Sequence, residues 1–160
     1  MFQVATYEGT REQQYNTVIS QLKALIEDEP NFIANLANAS ALLGQFLPDI
    51  NWVGFYLLDE KGLVLGPFQG LPACVRIPVG RGVCGTAAER KETMLVPDVH
   101  AFPGHIACDA ASRSEIVVPL LSPNGELLGV LDIDSPSVGR FDNIDREQLE
   151  RFAAVLTANV

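Results

Sequence analysis

The sequence predicts an α+β domain in which helices from both termini cover one face of a six-stranded antiparallel sheet. Two segments with helical periodicity open the chain, six short strand-like segments follow, and another helical segment closes it. Turn residues separate successive strands at hairpin spacing, which indicates antiparallel neighbours. At 160 residues the chain can bury a real core, and we expect a single domain over residues 1–160.

Two amphipathic helices are predicted, at residues 11–28 and 31–47. In the first, apolar residues recur three and four positions apart: Tyr15, Val18, Ile19, Leu22, Leu25 and Ile26. Pro30 separates the two helices, because proline has no amide hydrogen and restricts the residue before it. The apolar side of the second helix holds Phe32, Ile33, Leu36, Leu43, Phe46 and Leu47. Its other side is small and polar, which suits packing against the first helix.

From Ile50 the period changes to that of strands. Strands are predicted at 52–58, 63–66, 73–77, 94–97, 116–121 and 127–134. Asn124-Gly125 is a strong signal for a hairpin between the last two. A short helix is predicted at 86–90 after a glycine-rich passage, and a C-terminal helix is predicted with Asp142 as its N-cap.

Composition and charge exclude several classes of function. The net charge is −9 and the 11 lysines and arginines are scattered, so we expect no nucleic-acid partner. Hydrophobic residues make up 48% of the chain, but no apolar run approaches the roughly 20 residues of a membrane span. The N-terminal segment has neither the basic nor the apolar region of a signal peptide, so we expect a cytoplasmic location.

The chain contains three cysteines, Cys74, Cys84 and Cys108, too few and too far apart for a disulfide scaffold. No CxxC pair is present, which argues against a zinc ribbon. A zinc site of three cysteines with His100 or His105 is left open. Otherwise an odd set of cysteines in a reducing compartment indicates inert core thiols or redox chemistry.

Two of these thiols compete for the role of a reactive group. Cys108 lies on a loop punctuated by glycine and proline, shortly before an apolar strand that could hold it rigidly. It could equally be one more small buried hydrophobe. Cys84 lies in the glycine-rich passage 80–85, which lacks the spacing and lysine of a phosphate-binding loop. That passage leads into a helix, and a helix N-terminus favours a thiolate.

Polar and aromatic residues on the predicted strands suggest a binding pocket. Asp132 and Asp134 alternate on one face, and Glu115 lies one strand earlier. They could form a socket for an ammonium group, or Asp134 could cap a turn while Asp132 faces water. Trp52, near Tyr56, could be an aromatic wall or simple core packing.

Five blocks of the sequence together resemble a known family. They are NWVGFY at 51–56, GPFQG at 66–70, GRGVCGTAA at 80–88, HIACD at 105–109 and GVLDIDS at 129–135. These blocks resemble the free methionine-(R)-sulfoxide reductases, a catalytic branch of the GAF domain family. The resemblance spans about residues 5–158, is in register, and includes all three cysteines. It implies a six-stranded antiparallel GAF sheet with a closed pocket.

The resemblance also implies a reaction and a role for each thiol. Cys108 would attack the sulfur of free methionine-(R)-sulfoxide, release methionine and become a sulfenic acid. A second thiol would capture it as a disulfide, with Cys74 the first choice and Cys84 an accessory thiol. A thioredoxin-type protein would restore the dithiol. Neither a metal nor an organic cofactor is required.

The pocket residues take their roles from the same resemblance. Glu115, Asp132 and Asp134 would bind the substrate's ammonium group and polarise the sulfoxide. Trp52 would receive the S-methyl end, and Tyr56 would line the pocket. A homodimer is left open, because GAF helices often dimerise. The alternative function is a non-catalytic GAF sensor of a cyclic nucleotide or another small ligand, but a sensor does not need three thiols around one pocket.

Overall fold

The computed structural model describes residues 1–160. Its helices are α1 (Arg11–Ile26), α2 (Phe32–Phe46), α3 (Gly82–Arg90) and α4 (Asn143–Thr157). Its strands are β1 (Trp52–Asp59), β2 (Gly62–Gly70), β3 (Arg76–Ile77), β4 (Met94–Val96), β5 (Ser114–Leu121) and β6 (Leu127–Ser135). None of the helices combines the length and the apolar character needed to cross a membrane.

The helices begin where the sequence provides caps. Thr10 and Gln13 form a reciprocal capping box at the start of α1. Asn31 accepts a hydrogen bond from the amide of Ala34 at the start of α2. Asp142 caps α4 as predicted, accepting from two amides of the first turn. These caps satisfy amide groups that the helix itself leaves without partners.

The six strands form one antiparallel sheet in the order β3-β2-β1-β6-β5-β4. Strands β1, β2 and β3 pair in chain order, and so do β4, β5 and β6, whereas β3 and β4 lie at opposite edges of the sheet. Strand β6 returns to lie beside β1. The predicted α+β architecture with six antiparallel strands is therefore confirmed. The β1–β6 pair at the centre of the sheet joins distant parts of the chain, and it is this pair that assembles the site described below.

The two faces of the sheet have different coverings. A core of 21 buried residues joins α1, α2 and α4 to one face, so the expected packing of the terminal helices is confirmed. A second core of 12 buried residues joins α3 and the neighbouring loops to the other face. Side chains alternate between the faces along each strand. In β1, Val53 and Phe55 enter the first core, whereas Trp52 and Tyr56 enter the second.

Several predicted boundaries were wrong. The strand predicted at 73–77 is reduced to Arg76–Ile77, whereas the strand predicted at 63–66 extends over Gly62–Gly70. The loop before β5 contains an unpredicted 3-10 turn, Val99–Ala101. Ala73 and Cys74, just before β3, pack against the second core instead of extending the strand. A short apolar pattern does not distinguish these two arrangements.

Helix α3 begins four residues earlier than the predicted span 86–90, because its glycines serve tertiary packing. A side-chain carbon on Gly85 would overlap the carbonyl of Pro78. The amide of Gly80 donates a 2.8 Å hydrogen bond to the carbonyl of Gly85. Glycine propensity alone disfavours a helix here, and the close packing overrides that preference.

A buried charged network ties the two terminal helices together. The carboxylate of Asp145 is 2% exposed and accepts a 2.7 Å hydrogen bond from the hydroxyl of Tyr15. It also forms ion pairs with Arg11 at 3.4 Å and Arg140 at 3.5 Å. Burial, followed by the charge of Asp145, raises the pKa of Tyr15. The Tyr15 hydroxyl therefore stays protonated and remains a donor.

Replacing Asp145 with alanine should lower the free energy of unfolding by about 3–5 kcal/mol, because Arg140 and the Tyr15 hydroxyl lose a buried partner. Urea denaturation at neutral pH measures this change. The matched control is Glu150→Ala, which removes an exposed ion pair with Arg146 at 3.7 Å. It should cost less than about 1 kcal/mol. Equal losses in the two variants would contradict the proposed importance of the buried network.

Candidate active site

The sheet face opposite the terminal helices forms the floor of a pocket. Register places Asp134 beside both Trp52 on β1 and Glu115 on β5, and it places Asp132 opposite Val117. The pocket is closed by the start of α3, by the segment before β3 and by the loop that precedes β5. All eight residues singled out from the sequence lie at this site: Trp52, Tyr56, Cys74, Cys84, Cys108, Glu115, Asp132 and Asp134. The enclosed volume is about 40 Å³.

Aromatic rings form one wall of the pocket. The rings of Trp52 and Tyr56 stack with centroids 5.9 Å apart, and the ring of Phe68 also stacks on that of Trp52 at 5.2 Å. The indole N–H of Trp52 donates to the carbonyl of Leu71 at 3.1 Å, and the Tyr56 hydroxyl donates to that of Cys74 at 2.9 Å. The sequence allowed Trp52 to be either a core residue or part of an aromatic wall. It is both, because it packs in the second core and also lines the pocket. The two hydrogen bonds hold the Cys74 segment against the wall.

Three carboxyl groups are buried together on the pocket floor. Glu115, Asp132 and Asp134 are 6%, 5% and 9% exposed, so the alternative in which Asp132 faces water is wrong. None of them forms a salt bridge. Burial and the neighbouring carboxylates raise the pKa of Glu115 and of Asp134 well above the ordinary range. Burial also raises the pKa of Asp132, although hydrogen bonds from Glu115 and Cys84 oppose this shift. The floor lacks positive charge.

One oxygen of this cluster has no partner. The Oδ1 atom of Asp132 is buried and makes no hydrogen bond. A buried polar atom without a partner costs about 1–3 kcal/mol. An atom of this kind in a pocket indicates a group that a ligand would supply.

The cysteines occupy two different environments. Cys74 and Cys108 form a disulfide with Cα atoms 5.4 Å apart, and Cys84 is free and buried. The zinc site of three cysteines and a histidine is therefore not formed. Burial, then the charges of Asp132 and Glu115, raise the pKa of Cys84 well above its usual value. The expectation that the helix N-terminus would make Cys84 a thiolate is wrong, because burial among acids outweighs the helix dipole.

Hydrogen bonds from Asn51, the residue that precedes β1, position the loop that carries Cys108. The side-chain amide of Asn51 donates to Asp109 at 3.0 Å and to Ser112 at 3.1 Å. Asp109 also accepts from the amide of Ala111 at 2.9 Å. Cys108 is thereby held at the pocket while remaining half-buried.

The sequence did not indicate that Arg81 lines the pocket, and it singled out His105, another lining residue, only as a possible zinc ligand. Arg81 is the N-cap residue of α3, but its side chain makes no cap, no ion pair and no hydrogen bond to another residue. His105 lies with its ring centroid 6.5 Å from that of His100. Partial burial, then the charge of His100, lower the pKa of His105. The Gly-Arg-Gly at the start of α3 could have identified Arg81, because it brings a guanidinium to a helix N-terminus.

The raised carboxyl pKa values predict how stability depends on pH. A carboxyl group with a higher pKa in the folded than in the unfolded state stabilises the fold at acid pH. This contribution is lost as the pH rises through the raised value. Replacing Glu115 with glutamine removes one such group. The substitution should raise Tm at pH 8 by about 2–4 °C for each 1 kcal/mol gained in the free energy of unfolding. At pH 5 it should raise Tm by less.

Differential scanning calorimetry at the two pH values measures the effect of Glu115→Gln. Glu126→Gln is the matched control, since Glu126 is exposed in the turn before β6. Its Tm should hardly change at either pH. Equal increases in Tm for Glu115→Gln at pH 5 and pH 8 would contradict the interpretation that charging the buried Glu115 carboxyl group destabilises the fold.

The fold and pocket define a class of protein. The family model described as GAF domain matches residues 31–160. A free methionine-R-sulfoxide reductase of Escherichia coli is 57% identical over 89% of this chain and 86% of its own length. One of Saccharomyces cerevisiae is 46% identical over 91% of this chain and 85% of its own.

Solved structures agree with these relatives. The free methionine-R-sulfoxide reductase from Neisseria meningitidis, solved in complex with its substrate, has a TM-score of 0.93 and 45% identity. The match covers 98% of this chain and 94% of that one. The chain therefore belongs to the GAF domain family and, within it, to the free methionine-R-sulfoxide reductases.

Proposed function

We propose that this protein reduces free methionine-(R)-sulfoxide to methionine at Cys108. The observation that carries the proposal is the Cys74–Cys108 disulfide beside a pocket whose floor is three buried carboxyl groups that form no salt bridge. A disulfide of this kind is the product expected when a sulfenic acid is captured by a second thiol. The carboxyl groups supply the charge that a substrate ammonium requires.

The chemistry proceeds in two balanced steps. The sulfur of Cys108 attacks the sulfoxide sulfur while the departing oxygen is protonated, so methionine leaves and Cys108 becomes a sulfenic acid. The thiol of Cys74 then attacks that sulfur, water leaves and the disulfide forms. A carboxyl group with a raised pKa can donate the first proton, and Glu115 has this property.

Charge selects the substrate. Its ammonium group would lie against Asp132 and Asp134, giving the unpaired Oδ1 of Asp132 a partner. Its S-methyl end would lie against Trp52, with Tyr56 beside it. The pocket is poorly suited to a cyclic nucleotide, because a phosphate would be repelled by the carboxylates.

The carboxylate of a free amino acid needs a counterpart as well, and we assign it to Arg81. Arg81 is an exposed residue that lines the pocket at the start of α3, and its side chain forms no salt bridge. Arg81→Ala should raise KM by about tenfold, the effect of losing one charge-assisted hydrogen bond of about 1.5 kcal/mol. Arg81→Lys should recover part of this loss. Steady-state kinetics measures both, and an unchanged KM in Arg81→Ala would remove Arg81 from substrate binding.

Formation of the disulfide would also close the pocket. Its volume of about 40 Å³ holds about three water molecules. That volume is smaller than a molecule of free methionine sulfoxide. Reduction would free the Cys108 loop to move outward and admit the next substrate. Turnover therefore requires a dithiol reductant, and we propose a thioredoxin-type protein, acting in the cytoplasm where such reductants keep thiols reduced.

The remaining assignments complete the proposal. Cys84 is an accessory thiol, and no metal or organic cofactor takes part in the reaction. The chain acts as a single GAF domain over residues 1–160. A homodimer is proposed because GAF helices often dimerise, and sedimentation equilibrium tests it.

A coupled assay tests the function. Thioredoxin, thioredoxin reductase and NADPH are supplied with the separated R and S forms of free methionine sulfoxide. We expect NADPH oxidation and methionine formation with the R form and a far lower rate with the S form. Methionine formation is followed directly with dithiothreitol in place of thioredoxin, so a wrong reductant is distinguished from a wrong reaction. No methionine with either reductant would overturn the proposal.

A further inference from the structure

Cys84 lies deep in the pocket beside acidic groups rather than at its mouth. The sulfur of Cys84 and one carboxylate oxygen each from Glu115 and Asp132 lie within 4.8 Å of one another. All three residues are buried. We propose that these three groups form a binding site for a thiophilic divalent cation such as Zn²⁺, whose binding excludes the substrate. The binding of the cation does not rest on the proposed function, whereas its inhibitory role does.

The geometry of the three groups suits a tetrahedral ion. Zinc bonds to sulfur at about 2.3 Å and to oxygen at about 2.0–2.2 Å, so neighbouring ligand atoms lie about 3.4–3.8 Å apart. The Sγ atom of Cys84 is 3.9 Å from Oε2 of Glu115. Small side-chain movements would bring the set to bonding distances. The fourth position would face the pocket and take a water molecule.

The unpartnered Oδ1 of Asp132 is a second, independent indication of a ligand. It is buried in the cluster, and no cationic side chain contacts it. Asp134 is adjacent, and burial followed by the charge of Asp132 raises its pKa well above the ordinary value. Burial raises the pKa of all three groups, and neighbouring carboxylates raise the pKa of Cys84 and Glu115 further. An ion carrying two positive charges would offset both effects.

The ligands are held on regular elements rather than on flexible loops. Cys84 is the third residue of α3, Glu115 is on β5 and Asp132 is on β6. Neighbouring strands restrain both carboxylates by backbone pairing. Sites built on helices and strands keep their geometry better than sites on loops.

Softness of the donors sets the choice of metal. A thiolate favours zinc, cadmium or cobalt over magnesium or calcium, which prefer sites made only of oxygen. On binding, the Cys84 thiol would lose its proton to the solvent as the sulfur–metal bond forms. No oxidation or reduction occurs. The ion would occupy the carboxylates proposed to hold the ammonium group, so ion and amino acid compete.

The disulfide form of the protein allows a direct test with Co²⁺. Cys74 and Cys108 are joined in that form, so Cys84 is the one thiol present. Addition of Co²⁺ should produce thiolate-to-metal charge-transfer absorption in the near ultraviolet and visible bands typical of tetrahedral cobalt. Zinc should abolish both, and magnesium should change neither. In the double variant Cys74→Ser with Cys108→Ser, which cannot form the disulfide that closes the pocket, free methionine carries the same ammonium group as the substrate and should weaken Co²⁺ binding.

Variants identify the ligands. Cys84→Ala should lose the charge-transfer band, whereas the double variant Cys74→Ser with Cys108→Ser should keep it. Glu115→Gln and Asp132→Asn should each weaken Co²⁺ binding by at least about tenfold. Absence of the band in the unsubstituted disulfide form would overturn the proposal whether or not any variant folds. A band that persists in Cys84→Ala, or affinity unchanged in both carboxylate variants, would overturn it too.

Discussion

Cys108→Ser should abolish sulfoxide reduction, lowering the rate of methionine formation by at least about 1,000-fold. A serine hydroxyl stays protonated at neutral pH and is a far weaker nucleophile than a thiolate. The protein should stay folded, because Cys108 is half-exposed on a loop. Single-turnover formation of methionine, measured by chromatography with reduced protein and no added reductant, isolates this step.

Cys74→Ser is the matched comparison for that variant. It removes the other half of the disulfide but leaves the proposed nucleophile in place. We expect one equivalent of methionine per protein and a Cys108 sulfenic acid that can be trapped with dimedone. Methionine formation that persists in Cys108→Ser would move the nucleophile elsewhere. Cys84 would then have to react despite the burial that raises its pKa.

The free amino acid should be reduced far better than its N-acetyl derivative. Acetylation replaces the ammonium group with a neutral amide and leaves Asp132 and Asp134 without a partner. Truncating one member of a buried charge pair costs about 2–5 kcal/mol. This corresponds to a loss of roughly 30-fold to several thousand-fold in kcat/KM. Steady-state kinetics with methionine-(R)-sulfoxide, its N-acetyl form and a dipeptide measures it.

Two controls distinguish the loss of the ammonium charge from the added bulk of the acetyl group. The methyl ester of methionine-(R)-sulfoxide keeps the ammonium group and should lose much less than the N-acetyl form. In Asp134→Asn the gap between free and N-acetyl substrates should shrink, because the variant has less charge to leave unpaired. Comparable kcat/KM values for the free and N-acetyl substrates would contradict two proposals. One is that the carboxylates bind the ammonium group, and the other is that the enzyme prefers a free amino acid.

Much of the fold followed from the sequence because its signals are local. Helical periodicity located α1 and α2, and Asp142 marked the start of α4. Turn residues indicated the hairpins and hence the antiparallel pairing. Alternation along β6 placed Asp132 and Asp134 on one face, and both line the pocket. These features depend on residues only a few positions apart, so the chain encodes them directly.

Tertiary structure alone decided the environment of each group. The sequence could not show that the pairing of β1 with β6 surrounds the carboxylates with low-dielectric protein, which raises their pKa values. It suggested a thiolate at Cys84, but burial among those acids keeps the thiol protonated. The sequence also did not indicate that Arg81 would lie at the pocket without an ion-pair partner. Charge and solvation depend on neighbours distant in the chain, and packing alone brings those neighbours together.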